Sequence, residues 1–254
     1  MSTTTIVVSG GPLSGPAAVD AAVAAHLRGL DPPVGRIVAA DSGFERAERL
    51  GLPVDDLIGD LDSISPAALD RARAAGVRIH EHPTAKDATD LELALGLASG
   101  SQDATEPDGP GPPTRIVVVG TTGGRLDHLL ASVSVLFSPA WSHIRISALL
   151  DDHLVLALGA GATEVPVSTG ATVSLLPVGG PAHVRRTGGL RWVLDDEVLD
   201  PVAGRGVANV AESTPVTVEL SGGHLAVVVP GALGPVEHQP AHQHAAEQDE
   251  EVRT

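Results

Sequence analysis

Along the first half of the chain, short apolar runs alternate with stretches whose apolar side chains recur at helical spacing. Residues 6–8, 36–40, 57–58, 77–79 and 115–119 are rich in Val and Ile and carry little polar alternation. That pattern suits strands buried on both faces of a sheet. Between them, residues 16–28, 44–50, 66–75, 89–98 and 126–137 read as helices. In the fourth of these, Leu91, Leu95 and Ala98 keep helical spacing with Ala94 beside them. Ser65 followed by Pro66 has the form of an N-cap with Pro in the first turn. Alternating strands and helices predict an α/β N-terminal domain with a mainly parallel sheet and right-handed crossovers. In such sheets ligands bind at the carboxyl ends of the strands.

Beyond about residue 145 the pattern changes. Residues 144–150, 154–158, 172–176, 190–194, 216–220 and 225–229 read as strands, broken by Gly-Gly, Asp-Asp and Pro, with no convincing helix between them. They predict an all-β, sandwich-like C-terminal domain. Ser221-Gly222-Gly223-His224 reads as a hairpin turn within it. The expected organisation is therefore an α/β domain over residues 1–143, a β domain over 144–236 and an acidic tail over 237–254. Residues 99–114, rich in Pro, Gly and acid, are expected to be a disordered insertion, and the tail is expected to be disordered as well.

Composition narrows the function classes. Aromatic residues make up only 2% of the chain, so the core must rest on Val, Leu, Ile and Ala, and each Trp calls for an explanation. Cys is absent, which excludes disulfides, zinc-thiolate sites and a cysteine nucleophile. The formal net charge of −16 argues against binding nucleic acid. No basic segment precedes the first apolar run, and no apolar run approaches the roughly 20 residues of a membrane span. A soluble, cytoplasmic protein is expected. The 11 His residues form no zinc signature, although His224, His238, His242 and His244 lie in or near the tail.

Four acidic loops carry the candidate chemistry: Ala40-Asp41-Ser42-Gly43, Gly59-Asp60-Leu61-Asp62-Ser63, Lys86-Asp87-Ala88-Thr89-Asp90 and Gly123-Gly124-Arg125-Leu126-Asp127-His128. Each lies at or near a predicted strand end. Asp60 and Asp62, two apart, suit joint capture of a hard cation such as Mg²⁺, which takes one or two carboxylates along with water and phosphates. The same spacing also occurs where an Asp simply leads into a helix. Asp90 and Asp127 stand at helix starts, where an acid equally complements the helix dipole. Gly123, Gly124 and Arg125 offer close backbone approach and a bidentate fork to phosphate. Ser9-Gly10-Gly11-Pro12 is a weaker candidate of the same kind. Taken alone, Trp192 reads as a core residue of the β domain, and Trp141 as structural or a surface anchor.

In this order, and with Gly189-Leu190-Arg191-Trp192 and Val207-Ala208-Asn209 downstream, the loops resemble the thiamine pyrophosphokinase family over nearly the whole chain. The resemblance implies transfer of the β,γ-diphosphate of ATP to the hydroxyethyl oxygen of thiamine, with release of AMP. It implies Mg²⁺ held by Asp60, Asp62 and Asp90. Asp127 and Arg125 would join those three acids in the reaction, and Asp41, Lys86, Gly123, Gly124, Arg125 and His128 would line the ATP side. Trp192 would stack on thiamine with Asn209 beside it, and a homodimer would build its active sites at the subunit interface. Three positions depart from the usual family pattern: Ser42 for Gly, Ala208 for Ser and Ser132 for Asn. Two rival readings stand beside it. One is a related diphosphokinase acting on a reduced hydroxymethylpterin, and the other a non-catalytic relative that binds nucleotide or thiamine phosphate.

Overall fold

A computed structural model describes residues 2–11, 17–85, 87–100 and 113–233. The first half of the chain runs β1 (Thr4–Val8), α1 (Ala17–Arg28), β2 (Val34–Ala40), α2 (Gly43–Arg49), β3 (Asp56–Gly59), α3 (Pro66–Ala74), β4 (Arg78–Glu81), α4 (Asp90–Ala98), β5 (Arg115–Gly120), α5 (Leu126–Val135) and β6 (Arg145–Leu150). The six strands are parallel, in the order β6-β5-β1-β2-β3-β4. Successive residues of β1 serve opposite faces, as a pleated strand requires. Ile6 and Val8 join Val23 and Leu27 of α1, whereas Val7 joins Leu91 and Leu95 of α4 on the other side. Ser65 caps α3 by accepting from the Ala68 amide at 3.2 Å, and Pro66 occupies its first turn. Trp141 is buried, its indole N–H donating to the Val135 carbonyl at 3.0 Å.

Eight strands follow: β7 (His153–Leu158), β8 (Gly161–Val165), β9 (Thr172–Pro177), β10 (Ala182–Gly188), β11 (Asp195–Leu199), β12 (Asn209–Val210), β13 (Val216–Gly222) and β14 (Leu225–Val229). β7 pairs antiparallel with β6, and β14, β9 and β12 extend the same sheet to ten strands. The other four form an antiparallel sheet in the order β11-β10-β13-β8. Apolar residues of both sheets, among them Val173, Leu175, Val184, Val218 and Leu225, belong to one buried cluster.

Three expectations need correction. The strand at 145–150 does not open the β unit. It is the sixth parallel strand of the first sheet, so the main sheet runs through residue 144 unbroken. Residues 190–194 form no strand: Leu190 makes an isolated bridge to Ala211, and the chain reverses at Gly189 (φ +76). Residues 221–224 are not a hairpin turn, because β13 and β14 lie in different sheets. At that crossing Gly223 (φ +77) passes so near Pro181 that an added Cβ would stand 2.3 Å from its carbonyl oxygen. The predicted insertion falls mostly outside the described residues, as does the tail. Ser99, at the insertion's start, is buried and donates to the Gly96 carbonyl at 2.9 Å. Among the described residues no helix is long and apolar enough to cross a membrane.

The amino edge of the sheet is held by charge. Asp56, fully buried at the start of β3, accepts from Arg36 Nε at 2.7 Å, Arg78 Nε at 2.7 Å and His80 Nε2 at 2.9 Å. Burial opposes its ionisation, but bonds from Arg78, Arg36 and His80 outweigh that and hold the carboxyl well below the usual carboxylate range. A depressed folded-state pKa stabilises above the unfolded value, near 3.9, and that contribution drains away as pH falls below it. Asp56→Asn should therefore cost about 3 kcal/mol in urea unfolding at pH 7, because it removes the buried carboxylate that faces the largely buried Arg36. The loss of stability from pH 5 to pH 2.5 should be shallower in the variant. An equal slope in both proteins would assign acid sensitivity to other carboxylates.

Candidate active site

The acidic loops meet above the carboxyl ends of β1, β2, β3 and β5. Main chain approaches main chain there without room for side chains: a Cβ on Gly43 would lie 2.1 Å from the Val8 carbonyl oxygen. Asp41, leaving β2, takes a left-handed conformation (φ +47), and its amide donates to the Ile58 carbonyl at 2.9 Å. This turn buries the carboxylate under the loop after β3. Oδ2 accepts from the Ser63 amide at 3.3 Å, and Oδ1 is buried with no hydrogen-bond partner among the described residues. Orphaned buried oxygens are uncommon, and one aimed into an acidic cluster suits an added cation.

The rest of the cluster is close by. Asp41, Asp60 and Asp62 each offer an oxygen within 4.8 Å of the others. Asp60 and Asp62 sit around Leu61 (φ +60), with the Asp62 amide donating to Asp60 Oδ1 at 3.4 Å and Ser63 Oγ donating to Asp62 at 2.9 Å. Asp90 begins α4, whose N-cap Thr89 accepts from the Glu92 amide at 3.2 Å. Its carboxylate lies over Gly59 (φ +150), where a Cβ would meet Asp90 Oδ1 at 3.1 Å and Asp41 Cβ at 3.2 Å. Burial first, then the negative charges of Asp90 and Asp60, push the Asp41 carboxyl above its ordinary range. A divalent ion would relieve that repulsion, and the donor set, oxygen only and mostly carboxylate, fits Mg²⁺.

A cleft of about 630 Å³ opens beside these acids, with Ser9, Asp41, Asp90, Arg125, His128 and Ser132 on its walls. Gly123 and Gly124 also line it. The sequence-predicted residues Asp41, Asp90, Gly123, Gly124, Arg125 and His128 thus share one wall system, with Asp60 and Asp62 adjoining through Asp41. Arg125 and Asp127 are exposed and form a bidentate pair, at 3.1 Å (Nε–Oδ1) and 2.5 Å (Nη2–Oδ2). Hydrogen bonding from Arg125 is the main cause of the lowered Asp127 pKa. Lys86 lies outside the described residues.

Trp192 and Asn209 are elsewhere. Trp192 is 56% exposed, in the β unit, with the Arg191 guanidinium 5.7 Å from its ring centroid. Asn209 is buried and is not among the residues that line that cleft. It clamps the Trp192 backbone, accepting from the Trp192 amide at 3.1 Å and donating to the Trp192 carbonyl at 2.8 Å. Ala208, one of the three departures, has φ +56, and its amide donates to Ser174 Oγ at 3.0 Å. The sequence reading missed Arg46, Thr122 and Asp151, which form a network with Thr121 of the cleft wall. Its only trace in the sequence is an Asp at the end of an apolar strand, which reads equally well as a turn.

Comparison with known proteins now bears on this geometry. The thiamin pyrophosphokinase catalytic-domain model matches residues 34–148, and the thiamin pyrophosphokinase vitamin B1 binding-domain model matches residues 163–225. This chain belongs to the thiamine pyrophosphokinase family. Thiamine pyrophosphokinase 1 of Oryza sativa subsp. japonica is 28% identical over 174 residues, covering 67% of this chain and 64% of the rice protein. The chain thus matches somewhat less than two thirds of that relative's length. Thiamine pyrophosphokinase of Bacillus subtilis is 25% identical over 160 residues, 63% of this chain and 70% of that protein. The fold is also that of the family. The crystal structure of the Bacillus subtilis protein superposes with a TM-score of 0.71 at 22% identity, covering 89% of this chain and 98% of that one. The yeast thiamin pyrophosphokinase structure gives 0.67 at 18% identity, covering 90% and 86%.

Gly59 offers a direct test of the acid cluster, since a methyl group there presses on both Asp90 and Asp41. Gly59→Ala should weaken Mn²⁺ binding, followed by calorimetric titration, by roughly tenfold or more. Unchanged affinity would mean that these acids do not share a cation.

Proposed function

We propose that the chain is an ATP:thiamine diphosphotransferase, moving the β,γ-diphosphate of MgATP to the hydroxyethyl group of thiamine and releasing AMP. The observation that carries this reading is the buried, unsatisfied Asp41 Oδ1 within a cluster of carboxylates, at the carboxyl edge of the domain matched by the family's catalytic model. Asp41, Asp60 and Asp62 would hold Mg²⁺, with Asp90 beside them. When bound, the ion offsets charge on the transferring group and aligns it.

The chain's own residues supply the rest by positioning and charge, the main resources of phosphoryl-type transfer. Arg125, at the start of α5, presents a guanidinium that can exchange Asp127 for phosphate oxygens. Gly123 and Gly124 keep the adjoining wall low. His128 and Ser132 face the cleft one and two turns along α5.

On the acceptor side, the half-exposed Trp192 ring suits a flat cationic ligand, and Arg191 already rests on it. Neither Trp192 nor Asn209 lines the cleft of the same chain. That supports a homodimer in which a second copy brings the Trp192 loop to the cleft. Exposed Val193, Val198, Val202 and Val207 on the β unit, with Leu126 and Leu130 on α5, suit such an interface. The apolar cluster shared by the antiparallel strands of the large sheet and the four-stranded sheet supports reading them as a sandwich. A cytoplasmic location is part of the same proposal.

The test is AMP release from MgATP with thiamine or a reduced hydroxymethylpterin as acceptor. AMP formed one-for-one with thiamine diphosphate is the expected result. Activity with the pterin alone would reassign the acceptor, and silence with both would favour a non-catalytic binder. Asp60→Ala should abolish turnover. Trp192→Ala should raise KM for thiamine roughly tenfold while leaving KM for MgATP near the parent value.

A further inference from the structure

The loop after β5 owes its shape to a carboxylate outside the cleft wall. Asp151 follows β6 in a left-handed conformation (φ +56), its amide donating to the Gly120 carbonyl at 3.1 Å. Its Oδ2 accepts from the Thr122 amide at 2.8 Å, Thr122 Oγ1 at 2.7 Å and Thr121 Oγ1 at 3.2 Å. Having given its proton to Asp151, the Thr121 hydroxyl accepts from the Gly123 amide at 3.0 Å. Since a carboxylate only accepts, all these bonds run one way, from loop to Asp151. Two successive amides, of Thr122 and Gly123, are thereby committed to shaping the loop.

The other oxygen, Oδ1, faces Arg46 Nη2 at 3.4 Å. Arg46 belongs to α2, the helix entered directly from the Asp41 loop, and its side chain is 6% exposed. Its Nε is buried with no hydrogen-bond partner among the described residues. The pair therefore ties the glycine-rich loop to the helix that directly follows the cation-binding acid, spanning the end of β1. Burial opposes ionisation of Asp151, but the Thr122 amide and hydroxyl, Thr121 and Arg46 outweigh it and keep the carboxyl below its ordinary range.

We propose that Asp151, with Arg46 as counter-charge, is a positioning residue that sets residues 121–125 against the Asp41 cluster and so fixes where the nucleotide's phosphates sit. This rests on the reading of that loop as the phosphate wall. Substrate need not touch Asp151.

Asp151→Asn keeps the shape but puts a donor where donors converge. KM for MgATP should rise roughly tenfold, with KM for thiamine within about twofold and a folded circular dichroism spectrum. Thr122→Val removes one hydroxyl from an exposed loop and should raise KM for MgATP about threefold. Arg46→Lys, which keeps the charge, should stay near the parent KM. Equal shifts in both KM values, or a fall in kcat alone, would overturn the proposal. Should Asp151→Asn not fold, an unchanged KM for MgATP in Thr122→Val would overturn it equally. Titration with a non-hydrolysable ATP analogue and Mg²⁺ separates this question from the reaction itself. If the unsubstituted chain released no AMP, the diphosphotransferase reading would fail. Weaker analogue binding by Asp151→Asn would still support the loop assignment, and equal binding would reject it.

Discussion

The cleft depends on how closely the backbone packs above the parallel strands. The loops after β1, β2, β3 and β5 converge over a few ångströms, and at Gly43 and Gly59 any side chain would collide with a neighbouring carbonyl or with the acids. Crowding of this kind draws carboxylates together although their charges repel. Folding energy from the buried strands, of the order of 25 cal/mol per Å² of apolar surface, is what sustains that repulsion. The site is thus strained electrostatically, and the left-handed backbone at Asp41 and Leu61 adds local conformational strain, as is common in functional sites.

Two buried aspartates show the contrast. Asp56 sits at the amino edge of β3 among Arg36, Arg78 and His80, and its charge is answered on every side. Asp41 sits beyond the carboxyl edge of the neighbouring strand with one oxygen unanswered and further acids around it. They have the same residue type and similar burial, but opposite shifts in acidity. The difference lies in partners rather than in depth, and it marks one end of the sheet as structural and the other as chemical.

Much of this was legible in the chain. β1, β2, β3 and β5 each contain an unbroken apolar run, and Ser65-Pro66 announced its helix. The acids at 41, 60, 62 and 90 stood out because each follows or opens a clear element. The second half was harder to read for physical reasons. β10 carries His183, Arg185 and Arg186 on its exposed side and contributes only Ala182, Val184 and Thr187 inward, so it lacks a strong apolar signal. β12 has two residues. The segment around Trp192 looked like a strand because Leu190 and Leu194 are buried, yet each is reached through a turn rather than along an extended run. The Gly-rich turn at 222–223 has hairpin chemistry, and only the sheet to which each flanking strand belongs shows that it is a crossing. Asp151 showed only as an Asp after an apolar strand, because its threonine partners are brought to it by the β5–β6 register.

Among the described residues strand β14 comes last in sequence, but it lies in the interior of the large sheet, between β7 and β9. As the polypeptide leaves the ribosome, β7 and β9 exist for some time as two unpaired edges, roughly 10 Å apart if held in their final places. Such edges invite pairing with other chains. The sheet closes only when the final strand has emerged and slotted between them. Completion of the fold is thereby coupled to completion of synthesis through residue 229, and a ribosome that stalls earlier would release a chain with its largest sheet still open.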